Sequence, residues 1–274
     1  MDAGLLCERQ QMRYFFLEIM IRKEKFMTKK QKKLLIASIV FAIVFGIAPN
    51  ANAMHIMEGY LPLGFCVAWG IISLPFLVKG FFSIQKKLEQ ERKNITILAM
   101  SGAFIFVISS LKIPSVTGSC SHMTGTGLGA ILFGPSAVSI LGIIVLIFQA
   151  VLLAHGGLTT LGANTFSMAI AGPFLSYGIY KLCKKCNVNR RAGVFWAAAL
   201  GDLFTYCITS FQLAFAYPSE GGVLVSAAKF LGVFAPTQLP LAIIEGFLTV
   251  VIMITLENYA QPELKSVGYL KNGK

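Results

Sequence analysis

The sequence predicts an all-α protein, a polytopic integral membrane helical bundle with about seven spans. Of its 274 residues, 55% are hydrophobic and only 13% are charged, and the mean hydropathy is +0.70. Soluble domains carry roughly 25% charged residues. This composition argues against a water-soluble enzyme, a nucleic-acid-binding domain and a disordered chain. The six cysteines have no regular spacing and do not form the pattern of a disulfide framework.

The first 53 residues are expected to lie outside the working protein. Residues 27–53 contain a basic segment, an apolar core at 34–48 and a final Ala-Asn-Ala, the three parts of a secretory signal peptide. The core is shorter than the roughly 20 residues of a membrane-spanning helix. We therefore expect cleavage after Ala53, which makes Met54 the first mature residue. An uncleaved signal anchor is the alternative.

Residues 1–26 precede the basic segment and have no place in the architecture of a signal peptide. They are mixed in charge, and the stretch 22–24, Arg-Lys-Glu, is what a purine-rich ribosome-binding site would give if it were translated. We interpret residues 1–26 as a mis-assigned start or a disordered extension, with Met27 as the true start. Residues 54–274 then form a single transmembrane domain.

Six apolar stretches of the mature chain have the length of spans. They are residues 60–78, 95–111, 136–154, 162–182, 192–217 and 236–256. Because cleavage places Met54 outside, the connections 79–93 and 181–191 and the C-terminal tail are expected to be cytoplasmic.

The distribution of basic residues supports this orientation. The segments expected inside carry Lys79, Lys86, Lys87, Arg92, Lys93, Lys181, Lys184, Lys185, Arg190, Arg191, Lys265, Lys271 and Lys274. Only Lys112 and Lys229 are left for the outer side. Cytoplasmic loops of membrane proteins are enriched in Lys and Arg. We therefore predict a multi-pass protein of the cell membrane with an extracytoplasmic N-terminus and a cytoplasmic C-terminus.

This orientation requires one more crossing. The loops 112–125 and 155–161 both look external, yet only one full-length stretch lies between them. The Gly-rich segment 119–134 is the candidate, although it is shorter than an ordinary span. Irregular backbone at membrane depth is tolerated only inside protein or beside a polar cavity, and short interrupted spans point to transporter binding sites. We predict seven crossings, of which the third is short and buried.

The expected mature N-terminus carries a metal-chelating pattern. With Met54 first and His55 second, the α-amine, the backbone nitrogen of His55 and its imidazole can bind one divalent ion through adjoining small rings. Such nitrogen-rich, tetragonal coordination suits Ni(II) and Cu(II), and we expect imidazole to suit Co(II) as well. The α-amine, with a reference pKa of about 7.7–8.0, must lose its proton to bind, so affinity should fall in acid.

Two further histidines complete the total of three. His122 lies in the Gly- and Ser-rich run 118–127, on the outer side by the charge argument, and is the natural fourth ligand. His155 begins the run 155–164, and it either orients a ligand from behind or has a structural role in the loop. The convergence of His55 and His122 on the outer face, beside an amine made by cleavage, favours a metal site over two unrelated structural histidines.

The runs 54–62, 111–135 and 155–164 closely resemble the CbiM family. These proteins are the cobalt-specific membrane components of energy-coupling factor (ECF) transporters, and the nickel-specific NikM proteins are their sisters. The resemblance covers nearly all of residues 54–256 and includes the motif Gly-Asp-Leu-Phe-Thr-Tyr at 201–206. It implies the fold of an ECF substrate-binding component and makes 54–274 a metal-binding domain.

The resemblance also implies the metal ligands. The family uses the mature N-terminal Met, the second-position His and a later His, which by motif are Met54, His55 and His122. The usual motif has proline after the third ligand, whereas this chain has Met123. That difference concerns the local backbone geometry and not the ligand. The Met123 thioether either packs or adds a soft contact to the metal.

Several other residues leave alternatives open. Asp202 and Glu245 fall inside apolar stretches, where ionisable groups are costly and face the bundle interior or a cavity. They either help a cation along, contact a partner, or hydrogen-bond neighbouring helices. Cys183 and Cys186 form a lone C-x-x-C, which without a second pair is weak evidence for zinc. Cys120 is not assigned as a ligand.

The sequence contains no P-loop motif, so energy must come from partners. The resemblance implies a transmembrane coupling component, a pair of ATPase components and a small accessory membrane subunit. The expected function is capture of external Co²⁺ as a transported substrate, which supplies cobalamin biosynthesis. We expect no organic cofactor and no nucleic-acid partner. The protein is expected to lie in the lipid bilayer.

Two alternatives to cobalt capture remain. A nickel-specific component of the same transporter class fits the same ligands, because selectivity between Ni²⁺ and Co²⁺ depends on geometry. An intramembrane metalloenzyme is more distant, because it needs a general base near the metal. The H-E-x-x-H motif is absent, and Glu58 is the only acid near His55 or His122.

Overall fold

Apolar runs of the sequence fold into helices that make up most of the described chain. The structure, a computed structural model, describes residues 55–90, 94–111, 113–114 and 120–270. The predicted signal peptide, its cleavage site and Met54 lie outside the described residues.

The helices follow one another with short connections. Their bounds are α1 Leu63–Gln90, α2 Asn94–Ser110, α3 Thr126–Phe133, α4 Pro135–Leu153, α5 Leu161–Asn164, α6 Gly172–Lys185, α7 Arg190–Ala216, α8 Val223–Tyr259 and α9 Gln261–Ser266. A π-helical segment, Thr165–Ala171, joins α5 to α6 without a break. Between α2 and α3, the two-residue strands β1 (Ile113–Pro114) and β2 (Cys120–Ser121) pair antiparallel.

Among the described residues, four helices are long and apolar enough to cross a membrane: α1, α4, α7 and α8. Helix α2 is apolar but shorter, and α3 has only 8 residues, all of them buried. The predicted all-α membrane bundle with a short, buried third segment is therefore confirmed. The number of crossings stays a prediction.

Helix α3 can lie inside the bundle because glycines allow its neighbours to approach closely. A Cβ added to Gly127 would lie 2.9 Å from the Cα of Ala198 in α7. A Cβ added to Gly129 would lie 3.0 Å from Cγ2 of Val138 in α4. Gly134, with φ +82°, then turns the chain directly from α3 into α4. At about 1.5 Å per residue, α3 alone is far too short to cross the roughly 30 Å hydrocarbon layer.

The outward faces of the long helices are apolar. Leu63, Phe82 and Phe247 are all more than half exposed, at 74%, 62% and 62%. Extended apolar surface of this kind marks a membrane-facing protein. The structure therefore fits a multi-pass membrane protein.

Helix α1 is longer than predicted, and the connection expected at 79–93 is helical as far as Gln90. Hydropathy falls after Val78, but the Lys, Gln and Glu residues that follow are good helix formers, so the helix continues beyond the apolar part. The connection expected at 181–191 is likewise reduced to the turn between α6 and α7.

Helix α8 begins at Val223 and not at the predicted Pro236. Pro236 and Pro240 both lie inside this helix, and the predicted apolar stretch 236–256 is its C-terminal part. Proline removes a backbone N–H, but membrane helices tolerate it where neighbouring groups bind the carbonyls that are left over.

Candidate metal centre

Three histidines from separate parts of the chain meet at one point. His55 precedes α1, His122 follows β2, and His155 follows α4; all three are buried, with at most 2% exposed. Their ring centroids lie 4.5 to 5.0 Å apart. One nitrogen from each ring lies within 4.8 Å of the others, which is a spacing that one metal ion can bridge.

The segment that carries His55 is held by α5 and by the residue just before it. Asn164 binds Ile56 on both sides of its backbone: its Oδ1 accepts from the N–H at 2.9 Å and its Nδ2 donates to the carbonyl at 3.0 Å. The Thr160 hydroxyl donates to the same carbonyl at 2.6 Å. Paired backbone contacts of this kind fix the direction of the residue just before, His55.

A hydrogen-bonded relay determines which nitrogen of His55 carries the proton. The Ser109 hydroxyl donates to the carbonyl of Ile105, so Ser109 receives the amide N–H of Gln149, at 2.7 Å. The Oε1 of Gln149 therefore faces Nε2 of His55, at 3.2 Å. An amide oxygen only accepts, so Nε2 carries a proton and Nδ1 is the ring nitrogen that can give a lone pair to a metal ion.

The same logic fixes the tautomer of His122. Its Nδ1 lies 2.9 Å from the carbonyl oxygen of Met123, so Nδ1 is the protonated nitrogen. Its Nε2 then carries the lone pair and lies 3.3 Å from Nδ1 of His55. Because two lone pairs directed at each other repel, this contact needs a shared cation, which is either a proton or a metal ion. These two nitrogens are well placed for metal binding.

His155 joins this pair through a tight turn at the end of α4. Ala154 has φ +47°, and the N–H of His155 donates to the carbonyl of Gln149 at 3.1 Å. Gly156, with φ +80°, packs against both Asn164 and His55. The sequence predicts either an orienting or a structural role for His155, and the structure brings its ring into the cluster. The sequence contains only three histidines, and all three lie in segments expected on the outer side; this was the signal that His155 belongs to the same site.

Glu58 lies at the exposed edge of this region. Its carboxylate accepts the backbone N–H of Thr159 at 3.2 to 3.3 Å. Hydrogen bonds from Thr159, the side-chain bond being the largest contribution, lower the pKa of Glu58 below its usual 4.5. Glu58 thus fastens the chain after His55 to the loop after His155.

Asp202 and Glu245 are buried inside the bundle, with 1% and 0% exposed. Glu245 accepts backbone N–H groups of the loop that follows His122, and Asp202 accepts the amide of Gln238 at 2.6 Å. Of the three predicted roles, hydrogen bonding within the bundle is the one that these contacts support. Met123 is buried and packs against Leu241 and other apolar side chains.

Cys183 and Cys186 lie at the end of α6, and both are free thiols. They are at the opposite end of the run 161–185 from the histidines. The lone C-x-x-C therefore takes no part in the candidate centre.

Comparison with known proteins identifies the family. Residues 55–264 match the family described as CbiM, cobalt uptake substrate-specific transmembrane region. A cobalt transport protein CbiM of Lachnoclostridium phytofermentans is 71% identical over 248 residues, which are 90% of this chain and 99% of that protein. A cobalt transport protein CbiM of Ruminiclostridium cellulolyticum is 58% identical over 84% of this chain and 93% of that protein.

The fold is shared with a protein of known structure. A crystal structure of a truncated transition metal transporter has a TM-score of 0.65 and 27% sequence identity, and the match covers 75% of this chain and 99% of that one. The relatives are named as transport proteins and not as enzymes. The family match covers well over half of the sequence, and the chain belongs to the CbiM family of cobalt uptake transmembrane proteins.

Proposed function

We propose that this protein is the substrate-capture component of an ECF-type cobalt importer. In this proposal residues 1–53 are absent from the mature protein, and external Co²⁺ binds to the α-amine of Met54, the backbone and side chain of His55, and the side chain of His122. The observation that carries the proposal is the facing pair of nitrogens, Nδ1 of His55 and Nε2 of His122, 3.3 Å apart.

The tautomers of the two rings suit an N-terminal chelate. In a chain with His in second position, Nδ1 is the ring nitrogen that closes the small ring with the backbone nitrogen of that residue. The contact with Gln149 holds a proton of His55 on Nε2, so Nδ1, which faces His122, is the nitrogen proposed to bind the metal. His155 adds a third imidazole within reach of the same ion. We propose that His155 either is an additional ligand or donates a hydrogen bond to another ligand of the bound metal.

Cobalt is the proposed cargo because the relatives carry that metal in their names. Nickel is the second candidate, since an all-nitrogen ligand set also suits Ni²⁺. The solved relative is named only as a transition metal transporter, which is compatible with either ion.

Transport then needs partners that supply energy. The proposal includes a transmembrane coupling component, ATPase components and a small accessory membrane subunit, with the metal site outside and the C-terminus in the cytoplasm. Movement driven by these partners opens the site inward, and the released cobalt supplies cobalamin biosynthesis. The basic residues near Lys184 and Arg191 lie at the far ends of helices from the histidines, as a cytoplasmic side requires.

The decisive test inserts one alanine between Ala53 and Met54, with cleavage checked by intact mass. This moves His55 to third position and replaces the amine ligand, while every side chain stays present. We expect Co²⁺ binding by the purified protein to fall to the level of a His55→Ala variant. Unchanged binding and uptake would show that the N-terminal chelate is wrong.

Met54→Leu is the matched control, because it keeps the amine and removes only the thioether. We expect its Co²⁺ affinity to match that of the wild-type protein. Competition between Co²⁺ and Ni²⁺ on the same preparation then decides the cargo, and preferred binding of Ni²⁺ would select the nickel alternative.

A further inference from the structure

Helix α8 binds the loop that carries His122 through buried polar side chains. Glu245, which is fully buried, uses both carboxylate oxygens for this contact. One oxygen accepts the backbone N–H of Thr124 at 2.6 Å, and the other accepts that of Gly125 at 2.9 Å. The Thr124 hydroxyl donates to the second oxygen at 3.0 Å.

A second set of contacts lies about two helical turns earlier on α8. Gln238 donates its amide to the carbonyl of His122, at 3.3 Å, and to Asp202 of α7, at 2.6 Å. The Thr237 hydroxyl lies 2.7 Å from that of Ser121. Side chains of α8 thus bind both backbone and side-chain groups of residues 121–125.

Burying the Glu245 carboxylate costs free energy, which its hydrogen bonds to the loop must offset. An ionisable group inside an apolar bundle is expensive unless hydrogen bonds compensate it. Bonds from two backbone N–H groups and a hydroxyl compensate an ionised Glu245 and are stronger than neutral ones, provided that the neighbouring buried carboxyl of Asp202 holds a proton. Glu245 therefore fixes the loop in one position, where a neutral apolar residue would leave the two N–H groups without an acceptor.

The loop has little other freedom to place His122. Gly125 has φ +67°, and a Cβ on it would lie 3.2 Å from the Cα of Ile105, so α2 closes the other side. The position of the His122 ring relative to His55 is then determined by α2 on one side and by α8 on the other.

We propose that Glu245 is a positioning residue for metal binding: by clamping residues 124–125 to α8, it sets where Nε2 of His122 stands relative to Nδ1 of His55. This inference rests on the proposed function, in which His122 is a metal ligand. Because α8 holds this loop, a displacement of α8 would also move His122. Glu245 itself does not touch the ion.

Glu245→Gln tests this directly. The amide nitrogen of Gln would face one of the two backbone N–H groups, donor against donor, and one clamp bond would be lost. Cu²⁺ serves as the probe beside Co²⁺, because it binds nitrogen ligands more tightly than Co²⁺ and keeps weakened variants measurable. We expect roughly 10- to 100-fold weaker binding, the range for residues that orient a ligand, and a shifted d–d absorption of the bound ion.

Glu257→Gln is the matched control. It makes the same change on the same helix, at the end that pairs with Arg190. We expect its metal affinity and d–d absorption to equal those of the wild-type protein. An equal loss in this control would overturn the proposal, because the loss would then reflect a general weakening of α8.

A double variant separates this inference from the proposed function. If Glu245 acts through His122, Glu245→Gln should cost nothing further in a His122→Ala protein. A full additional loss there would overturn the positioning role, whereas wild-type binding by His122→Ala alone would overturn the proposed function.

If the Glu245→Gln protein does not accumulate, Thr124→Val provides a second test. It removes the hydrogen bond from the Thr124 hydroxyl to Glu245 and should weaken binding about 2- to 10-fold. An unchanged affinity in that variant counts against the proposal.

Discussion

Replacing Gln149 by leucine should weaken Co²⁺ binding without removing any ligand. Gln149 is fully buried and is the acceptor for Nε2 of His55, at 3.2 Å. Leucine has a similar size but no acceptor, so the Nε2–H group of His55 loses its partner inside the bundle. The ring can then rotate, and the tautomer with the proton on Nδ1, which cannot bind metal there, is no longer excluded.

The loss of this one hydrogen bond determines how much affinity the variant loses. Leaving a buried donor unsatisfied costs about 1–3 kcal/mol. Replacing a residue that orients a metal-binding His typically costs 10- to 100-fold in affinity, which is about 1.4–2.7 kcal/mol. The two estimates agree, and we expect the dissociation constant of Gln149→Leu to rise by that 10- to 100-fold. Gln149→Glu keeps an acceptor for Nε2 and should retain most of the affinity.

The assay is a competition titration of the purified protein with Co²⁺ and a chelator of known affinity. Gln212→Leu is the control, because Gln212 is also fully buried but binds the carbonyl of Ala163 and no histidine. The reasoning is refuted if Gln149→Leu binds as tightly as the wild-type protein, or if Gln149→Glu is as weak as the leucine variant.

Three further results are expected. Asn164→Leu removes both hydrogen bonds to Ile56, so Co²⁺ binding should weaken and protease cleavage near His55 should accelerate; protection equal to wild type would contradict this role. The contribution of Glu58 to stability is complete above its usual pKa of 4.5 and is lost as the pH falls through its lowered pKa, so Glu58→Gln should flatten the loss of thermal stability in acid; identical pH profiles would count against it. Arg190→Ala removes an ion pair of 2.7 Å and a contact with the ring of Tyr269, and should cost about 1 kcal/mol in thermal unfolding while metal affinity stays constant.

The short third segment shows how far sequence reasoning extends. Charge parity required a crossing between residues 112 and 161, and the density of glycine limited it to 119–134. The structure has an eight-residue helix there, Thr126–Phe133, with every residue buried. Composition is sufficient to predict this short buried helix, because glycine-rich apolar segments pack closely inside a bundle; that it crosses the membrane stays a prediction.

The boundaries of α8 show where the same reasoning fails. Pro236 and Pro240 are ordinarily signals of a helix end, yet α8 runs through both. Whether a proline ends a helix depends on the groups that surround the interrupted backbone, and these come from other parts of the fold. The sequence pattern around one residue does not contain that information.

The sequence predicts which histidines belong to the candidate centre, but it does not predict the residues that hold them in place. His55 and His122 follow from their chemistry and from the family motif. The roles of Gln149 and Glu245 depend on contacts between residues 94 and 121 positions apart in the sequence. A buried Gln has no local signature, and an acid in an apolar stretch indicates only that something must compensate it.

The π-helical segment Thr165–Ala171 has a consequence for how the sequence can vary. Its wider turns advance each residue through a smaller angle than α-helical turns do, so the residues before and after it face directions that a continuous α-helix would not allow. Asn164, just before it, binds the segment of His55, while Gly172 and Ser176, which follow it, pack against α7. Both alignments depend on the number of residues between them. Substitutions within 165–171 should therefore be better tolerated than the insertion or deletion of one residue, which would keep both halves helical and turn one of them away from its partner.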